Sequence, residues 1–299
     1  MYYGYDFVEV KKKSNKGRNI VLILLVLVAI GGAIYTGIKT AEYVNNQKIE
    51  EARIKEQEQL EEQKRIEEEK KEQEKLKNSQ NLTEEQIQAI ENIYSSEEKR
   101  VFLTFDDGPT TSVTPKILDI LKAEEVKATF FVIGKYVDKH PEIVRREYEE
   151  GHYIANHGYD HDNSVLYKSN ESFRNEVEKT DIAIGKAIGV DDYCSHIFRF
   201  PNGFMSPANK SRKKEALKIL EEMQYTYVDW NCLNNDSVKK YSKQELLNNL
   251  KKTSKNKGSL VVLMHDTKDV SDSSTILKES IEYLKSEGYE FKNFYDLLQ

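Results

Sequence analysis

Cysteine is nearly absent: the 299 residues hold two, Cys194 and Cys232. That excludes a disulfide-stapled scaffold and leaves room for one bridge at most. Positive charge is also short of what a nucleic-acid surface needs. Lys and Arg total 45 against 51 Asp and Glu, a formal net charge of -6, and no basic stripe stands out. No nucleic-acid partner is expected. No internal repeat is visible, which excludes a solenoid. Residues 45–77 contain neither Gly nor Pro, so nothing in that stretch marks a turn.

What is present divides the chain into four stretches. Ile20–Ile38 is almost wholly apolar and uncharged. At about 1.5 Å per residue it just spans a hydrocarbon core of about 30 Å. Lys11, Lys12, Lys13, Lys16 and Arg18 precede it. The positive-inside rule therefore makes 1–19 a cytoplasmic tail, 20–38 a single transmembrane helix, and everything after Lys39 extracellular. A cleaved signal peptide is the rival reading, but the run exceeds the usual apolar core of such a peptide and the cleavage signature is poor. Tyr2, Tyr3, Tyr5 and Phe7 give the tail an aromatic tip suited to a membrane interface.

Residues 39–96 read as a charged stalk. Asn45–Lys77 is almost all Glu, Lys, Gln and Arg, with Glu51–Lys55 and Glu61–Arg65 in the favourable helix-pairing order. Ile49, Ile54, Leu60 and Ile66 hold no heptad, so a solvated helix is expected in preference to a coiled coil. Asn81–Ile93 reads as a further short helix, capped by Thr83 and apolar at Leu82, Ile87 and Ile90.

Residues 97–299 alternate between strand and helix patterns. Strands are expected at Arg100–Phe105, Ala128–Ile133, His152–Asn156, Ile197–Phe200, Tyr225–Trp230, Ser259–Met264 and near Tyr289–Phe291. Helices are expected at Pro115–Ala123, Pro141–Glu150, Glu171–Ile188, Lys210–Met223, Ser242–Thr253 and Thr275–Glu287. This alternation predicts an α/β fold with a parallel sheet, rolled into a small closed or nearly closed barrel. Cys194 then precedes one strand and Cys232 follows the next. They fall at opposite strand ends, too far apart to bridge.

Chemistry in such folds sits at the carboxyl ends of the strands. The first strand ends in Asp106 and Asp107, two carboxylates that repel unless a cation or other partner intervenes. As neighbours on a strand end, their side chains are expected to point to opposite faces. After the third strand, His157 and His161 stand four apart, a spacing that puts both rings on one face of a helical turn. With one carboxylate they make a three-ligand set for Zn²⁺ or a similar metal. His265 ends another strand, free to act as acid, base or ligand. Arg199 opens R-F-P-N-G near a further strand end, where an Arg pairs a carboxylate. Asp229 sits beside the only tryptophan, Trp230, a pairing typical of a wet, aromatic-walled sugar groove. His140, His152 and His196 lie away from that face and read as packing or surface histidines.

These five segments, in order, resemble the motifs of the polysaccharide deacetylase family, the NodB-homology domain of carbohydrate esterase family four. T-F-D-D-G-P at Thr104–Pro109 matches the first motif and is the most specific. H-G-Y-D-H at His157–His161, R-F-P-N-G at Arg199–Gly203, D-W at Asp229–Trp230 and L-M-H at Leu263–His265 resemble the rest. The resemblance covers about two thirds of the chain and implies a deformed barrel of about seven or eight β/α units. It also implies metal-dependent removal of acetyl groups from amino sugars. It gives Asp107, His157 and His161 to the metal, Asp106 to the general base and His265 to the general acid. Arg199 would orient Asp106, and Asp229 would hold His265. Asn202 would offer its backbone N–H to the oxyanion, and Trp230 and Leu263 would line the acetyl pocket. Two residues depart from the pattern: Gly158 stands where Ser or Thr is usual, and Asn202 where Tyr is usual. Loss of the hydroxyl is expected to loosen the histidine loop, and loss of the ring to alter the sugar site.

The expected substrate is N-acetylglucosamine of peptidoglycan, because the tether holds the domain near the cell wall. An O-acetyl polysaccharide esterase and a catalytically silent glycan-binding barrel are the other readings. Zn²⁺ suits the ligand set, and Co²⁺, Mn²⁺ or Ni²⁺ would also bind.

Overall fold

The computed structural model describes residues 16–79, 82–267 and 270–298. The chain divides into two compact units at Lys71. The tail expected over 1–19, with its aromatic tip, falls outside the described residues as far as Asn15.

Helix α1, Lys16–Ser79, is uninterrupted and supplies the described residues of the first unit. It contains no proline, so nothing removes a backbone donor along its length. Its apolar residues from Ile20 to Ile38 are all exposed. Among the described residues it is the one helix long and apolar enough to cross a membrane, with a mean hydropathy of 2.6 in its most apolar window. Further along, Ile49, Ile54, Leu60 and Ile66 are exposed too, so no seam is buried there.

Among its described residues the second unit holds eight strands: β1 Arg100–Asp106, β2 Thr129–Val132, β3 Tyr153–Asn156, β4 Ile197–Phe198, β5 Thr226–Tyr227, β6 Cys232–Leu233, β7 Ser259–His265 and β8 Glu290–Lys292. Its helices are α2 Glu84–Glu91, α3 Thr114–Ala123, α4 Gly134–Val137, α5 Pro141–Glu149, α6 Asn163–Leu166, α7 Asn170–Ile188, α8 Lys210–Glu222, α9 Lys243–Ser254 and α10 Leu277–Ser286. Every strand pairing is parallel, in the order β5-β4-β3-β2-β1-β7-β6. β8 takes the lower part of β1 at Arg100–Phe102, and β2 takes the upper part at Thr104–Asp106. The sheet therefore curls into a barrel that stays open between β5 and β6.

The sequence explains which faces pack where. Alternate residues of a strand face opposite sides. Val101, Leu103 and Phe105 meet Ile117, Leu118 and Leu121 of α3 and Leu277, Ile281 and Leu284 of α10 in the outer core. Phe102 and Val261 face inward with Phe131, Tyr153, Ile197 and Phe294. Ile90 and Ile93 join that inner cluster, so the segment around α2 fills the barrel's interior from the side of its seam. A capping box between Thr83 and Gln86 starts α2. Leu82–Ile93, which composition grouped with the stalk, thus belongs with the barrel unit.

The strands that differ most from expectation are the two at the seam and β4 beside β5. β4 stops at Phe198 rather than Phe200, and β5 covers Thr226–Tyr227 rather than Tyr225–Trp230. β6 was not anticipated, and Cys232 begins it. Cys194 and Cys232 are both unbridged.

Candidate active site

The pairing of β1 with β7 builds the centre. Its register sets Phe102 beside Val261, Thr104 beside Leu263 and Asp106 beside His265. All six alternate onto the inner face. Two residues far apart in sequence, Asp106 and His265, therefore arrive at one level of the barrel mouth, with Leu263 one layer below.

Asp107 does not continue the strand to the opposite face, as alternation would have it. β1 ends at Asp106, and Asp107 takes a left-handed φ of 76°. That turn swings its carboxylate back toward the histidines. Asp107 Oδ1 lies 3.4 Å from His157 Nε2 and 3.2 Å from His161 Nε2. It is buried and accepts no hydrogen bond. The ligand atoms of Asp107, His157 and His161 all lie within 4.8 Å of one another. A buried, unpartnered carboxylate oxygen facing two imidazole nitrogens fits the donor set of a divalent cation.

The two histidines converge through a loop, not through the helical turn their spacing suggested. Gly158 has φ +81° and His161 φ +53°, outside any helix. Asn156 Oδ1 accepts from Gly158 N at 2.9 Å, and Glu176 Oε2 accepts from Tyr159 N and Asp160 N at 3.0 and 2.8 Å. The loop expected to be loose without a hydroxyl at position 158 is braced by these two side chains, and the positive φ there favours glycine. His157 Nδ1 donates to Arg199 O at 2.8 Å, which turns Nε2 and its lone pair toward Asp107.

Arg199 is fully buried. Nη1 donates to Asp106 Oδ1 and to Thr104 Oγ1, both at 2.7 Å. Nε and Nη2 donate to the carbonyls of Val228 and Asp229 at 2.9 and 3.0 Å. Its guanidinium lies 3.8 Å from the centre of the Phe131 ring. Asp106 is thereby held by a charged, planar partner whose other donors are committed to the barrel wall.

The carboxylate behind His265 is Asp236, not Asp229. His265 Nδ1 lies 2.7 Å from Asp236 Oδ1, and His265 N donates to Asp236 Oδ2 at 2.8 Å. Ser273 Oγ also donates to Asp236, and Asn234 Nδ2 donates to Ser273 Oγ at 2.7 Å. Asp229 is turned elsewhere: both its oxygens accept from Phe204 N at 3.0 Å. The physical reason is the break after β5. The chain leaves β5 before Asp229, enters β6 at Cys232, and delivers Asp236 to the end of β7. No motif in the sequence marks Asp236, which stands in N-N-D-S just after β6.

Electrostatics follow this geometry. Burial pulls the His265 imidazole down, but the Asp236 carboxylate, joined by Asp106 and Asp107, outweighs it and lifts the pKa to about 9. Burial pushes Asp107 up, but the facing imidazoles of His157, His161 and His265 hold it below the ordinary carboxylate range. Burial and the neighbouring His157 lower His161.

The other expected residues fall nearby. Asn202 has an exposed side chain and φ +63°. Trp230 packs against the inner cluster, with the Arg199 guanidinium 5.7 Å from its ring. His140, His152 and His196 lie apart. His140 faces Glu142 at 3.8 Å, buried His152 accepts from Ala128 N at 3.1 Å, and His196 lies 2.9 Å from Gln224 O.

A family profile described as polysaccharide deacetylase matches residues 94–228. A peptidoglycan-N-acetylglucosamine deacetylase of Bacillus cereus is 37% identical over 204 residues, 67% of this chain and 68% of that protein. One from Listeria monocytogenes is 36% identical over 193 residues, 64% of this chain. The alignment spans 37% of that longer protein. Among solved structures, a CE4 esterase of Streptococcus mutans superposes with a TM-score of 0.62 at 30% identity, covering 69% of this chain and 90% of that one.

Proposed function

The chain belongs to the polysaccharide deacetylase family, and we propose that it is a metal-dependent hydrolase that removes N-acetyl groups from N-acetylglucosamine in peptidoglycan. One observation carries this reading. Asp107, His157 and His161 converge on one point, flanked by the Asp106–Arg199 pair and the His265–Asp236 pair. Amide hydrolysis needs an activated water, a stabilised oxyanion and a protonated amine leaving group, and the three groupings match those needs.

Asp107, His157 and His161 would hold the cation, which we assign as Zn²⁺, with Co²⁺, Mn²⁺ or Ni²⁺ as substitutes. When bound, it supplies Lewis acidity and lowers the pKa of a coordinated water. Asp106 takes the proton of the attacking water, held in place by Arg199. The backbone N–H of Asn202 faces the oxyanion. His265, kept charged by Asp236, gives its proton to the departing amine. Trp230 and Leu263 enclose the acetyl methyl. Ile20–Ile38 anchors the chain once in the cell membrane, with the N-terminus in the cytoplasm and the barrel outside, facing its substrate.

Mass spectrometry of muropeptides from cells with and without the protein tests the reading. We expect loss of one acetyl group from glucosamine when it is present. Unchanged muropeptides together with release of acetate from acetylated xylan would instead identify an O-acetyl esterase. No release from either substrate would identify a silent glycan-binding barrel.

A further inference from the structure

We propose that Lys213 and Asp229 form a clamp whose task is to fix the backbone turn that follows Pro201, and with it the Asn202 N–H. Both are positioning residues. The kinetic half of this proposal rests on the deacetylase reading; the structural half does not.

The turn has an unusual backbone. Asn202 and Gly203 take successive left-handed φ values of 63° and 76°, and Gly203 N donates to Phe200 O at 2.7 Å. No helix or strand covers the segment between β4 and α8, so its inward N–H and C=O groups need partners from elsewhere. Two charged side chains supply them from opposite sides. Asp229, just beyond β5, accepts from Phe204 N at 3.0 Å and from Met205 N at 3.4 Å. Lys213, from α8, donates to Gly203 O at 2.6 Å and to Ser206 O at 3.3 Å. The Trp230 ring closes the remaining side: a Cβ at Gly203 would stand 2.8 Å from its Cη2.

Lys213 is 1% exposed, and a lysine is seldom buried so completely without a compensating partner. Here the compensation runs through the turn. The ammonium takes the carbonyls, the carboxylate takes the amides, and the peptide units between them are gripped at both ends. Together, Lys213→Leu and Asp229→Ala would leave four backbone groups without these partners: the carbonyls of Gly203 and Ser206 and the amides of Phe204 and Met205. The clamp acts on the residues directly after Asn202. A preorganised donor loses its value when it drifts from the place where the negative charge develops. This also gives Asp229 an occupation other than the histidine partnership its motif suggested.

The test uses the full chain and two variants, Asp229→Asn and Lys213→Met. The asparagine keeps the shape of aspartate and one acceptor oxygen, but it loses the charge and sets an NH₂ group where the second oxygen accepts. In both variants, hydrogen exchange across 200–206 should speed up while exchange across β1 stays unchanged. With metal affinity unchanged and KM within about threefold, kcat should fall by about 10²-fold, the scale of losing one oxyanion donor. Unaltered exchange in folded variants would overturn the clamp. So would a fall in kcat accompanied by equal losses in metal affinity and melting temperature, because that pattern reports general loosening. If Lys213→Met fails to fold, the isosteric Asp229→Asn decides alone. If the parent chain releases no acetyl group, the deacetylase reading fails, and the exchange measurement still judges the clamp.

Discussion

Asp236→Asn is the sharpest probe of the acid side of the site. His265 has its pKa raised from 6.5 to about 9, with the Asp236 hydrogen bond and charge leading the groups that raise it. That gap corresponds to about 3 kcal/mol in favour of the charged imidazole. Asp106 and Asp107 supply part of it, and a cation held by Asp107 opposes it, so removing the Asp236 charge alone should move the pKa by roughly one to two units. The side chain is 14% exposed, so solvent screens the pair little. A group raised in this way does its work below its folded pKa and loses it as pH rises through that value. The alkaline limb of the pH–rate profile should therefore shift to lower pH by roughly one to two units, with kcat at the optimum falling by about 10-fold or more. Asp229→Asn should leave the limb where it is. The assay is acetate release from an N-acetylglucosamine oligomer between pH 5 and 10, on parent and both variants. An unmoved limb in Asp236→Asn, or a limb that moves only in Asp229→Asn, would refute the assignment.

Three other outcomes are expected. Asp107→Asn should weaken metal binding by calorimetry and recover part of its rate in excess metal. Asp106→Asn should keep its metal and lose about 10²-fold in kcat; the reverse pattern means the two roles are exchanged. Buried Asp181, which accepts from Tyr225 and Asn156, has its pKa raised to about 7 by burial. Its contribution to stability is complete below about 3.8 and is lost as pH rises through about 7. Asp181→Asn should therefore gain in melting temperature over the parent between pH 6 and 8, and melting curves that stay parallel would contradict this. Thiol titration of the denatured, unreduced protein should count both cysteines, and a count of zero would show a bridge.

How far the sequence could be read depended on how much local pattern each element carried. β1 and β7 have seven residues each, six of them buried, around the apolar runs Val101–Leu103 and Leu260–Met264, so both strands and the residues at their ends were visible. β4, β5 and β6 have two residues each, too few for any periodicity. They exist because their neighbours offer an edge, and that is tertiary information. The Asp107 turn was hidden for a related reason. D-D-G predicts a strand end, but only the left-handed φ at Asp107 decides which way the second carboxylate faces. Asp236 was invisible because its partnership with His265 is set by where the loop after β6 returns, across a gap no spacing rule covers. The segment around α2 looked like stalk because its two inward isoleucines, Ile90 and Ile93, sit among polar neighbours.

The open seam has a consequence for molecules crowded together on one surface. A sheet that fails to close presents two edges, and an exposed edge can recruit a strand from a neighbouring copy. Here the edge strands are β5 and β6, cut to two residues apiece. The interior behind them is occupied by Ile90 and Ile93 from the chain itself. A neighbouring copy would find too short a template to add a strand. Incomplete closure, a liability in a longer sheet, is in this way compatible with dense packing of many copies without fibrous association.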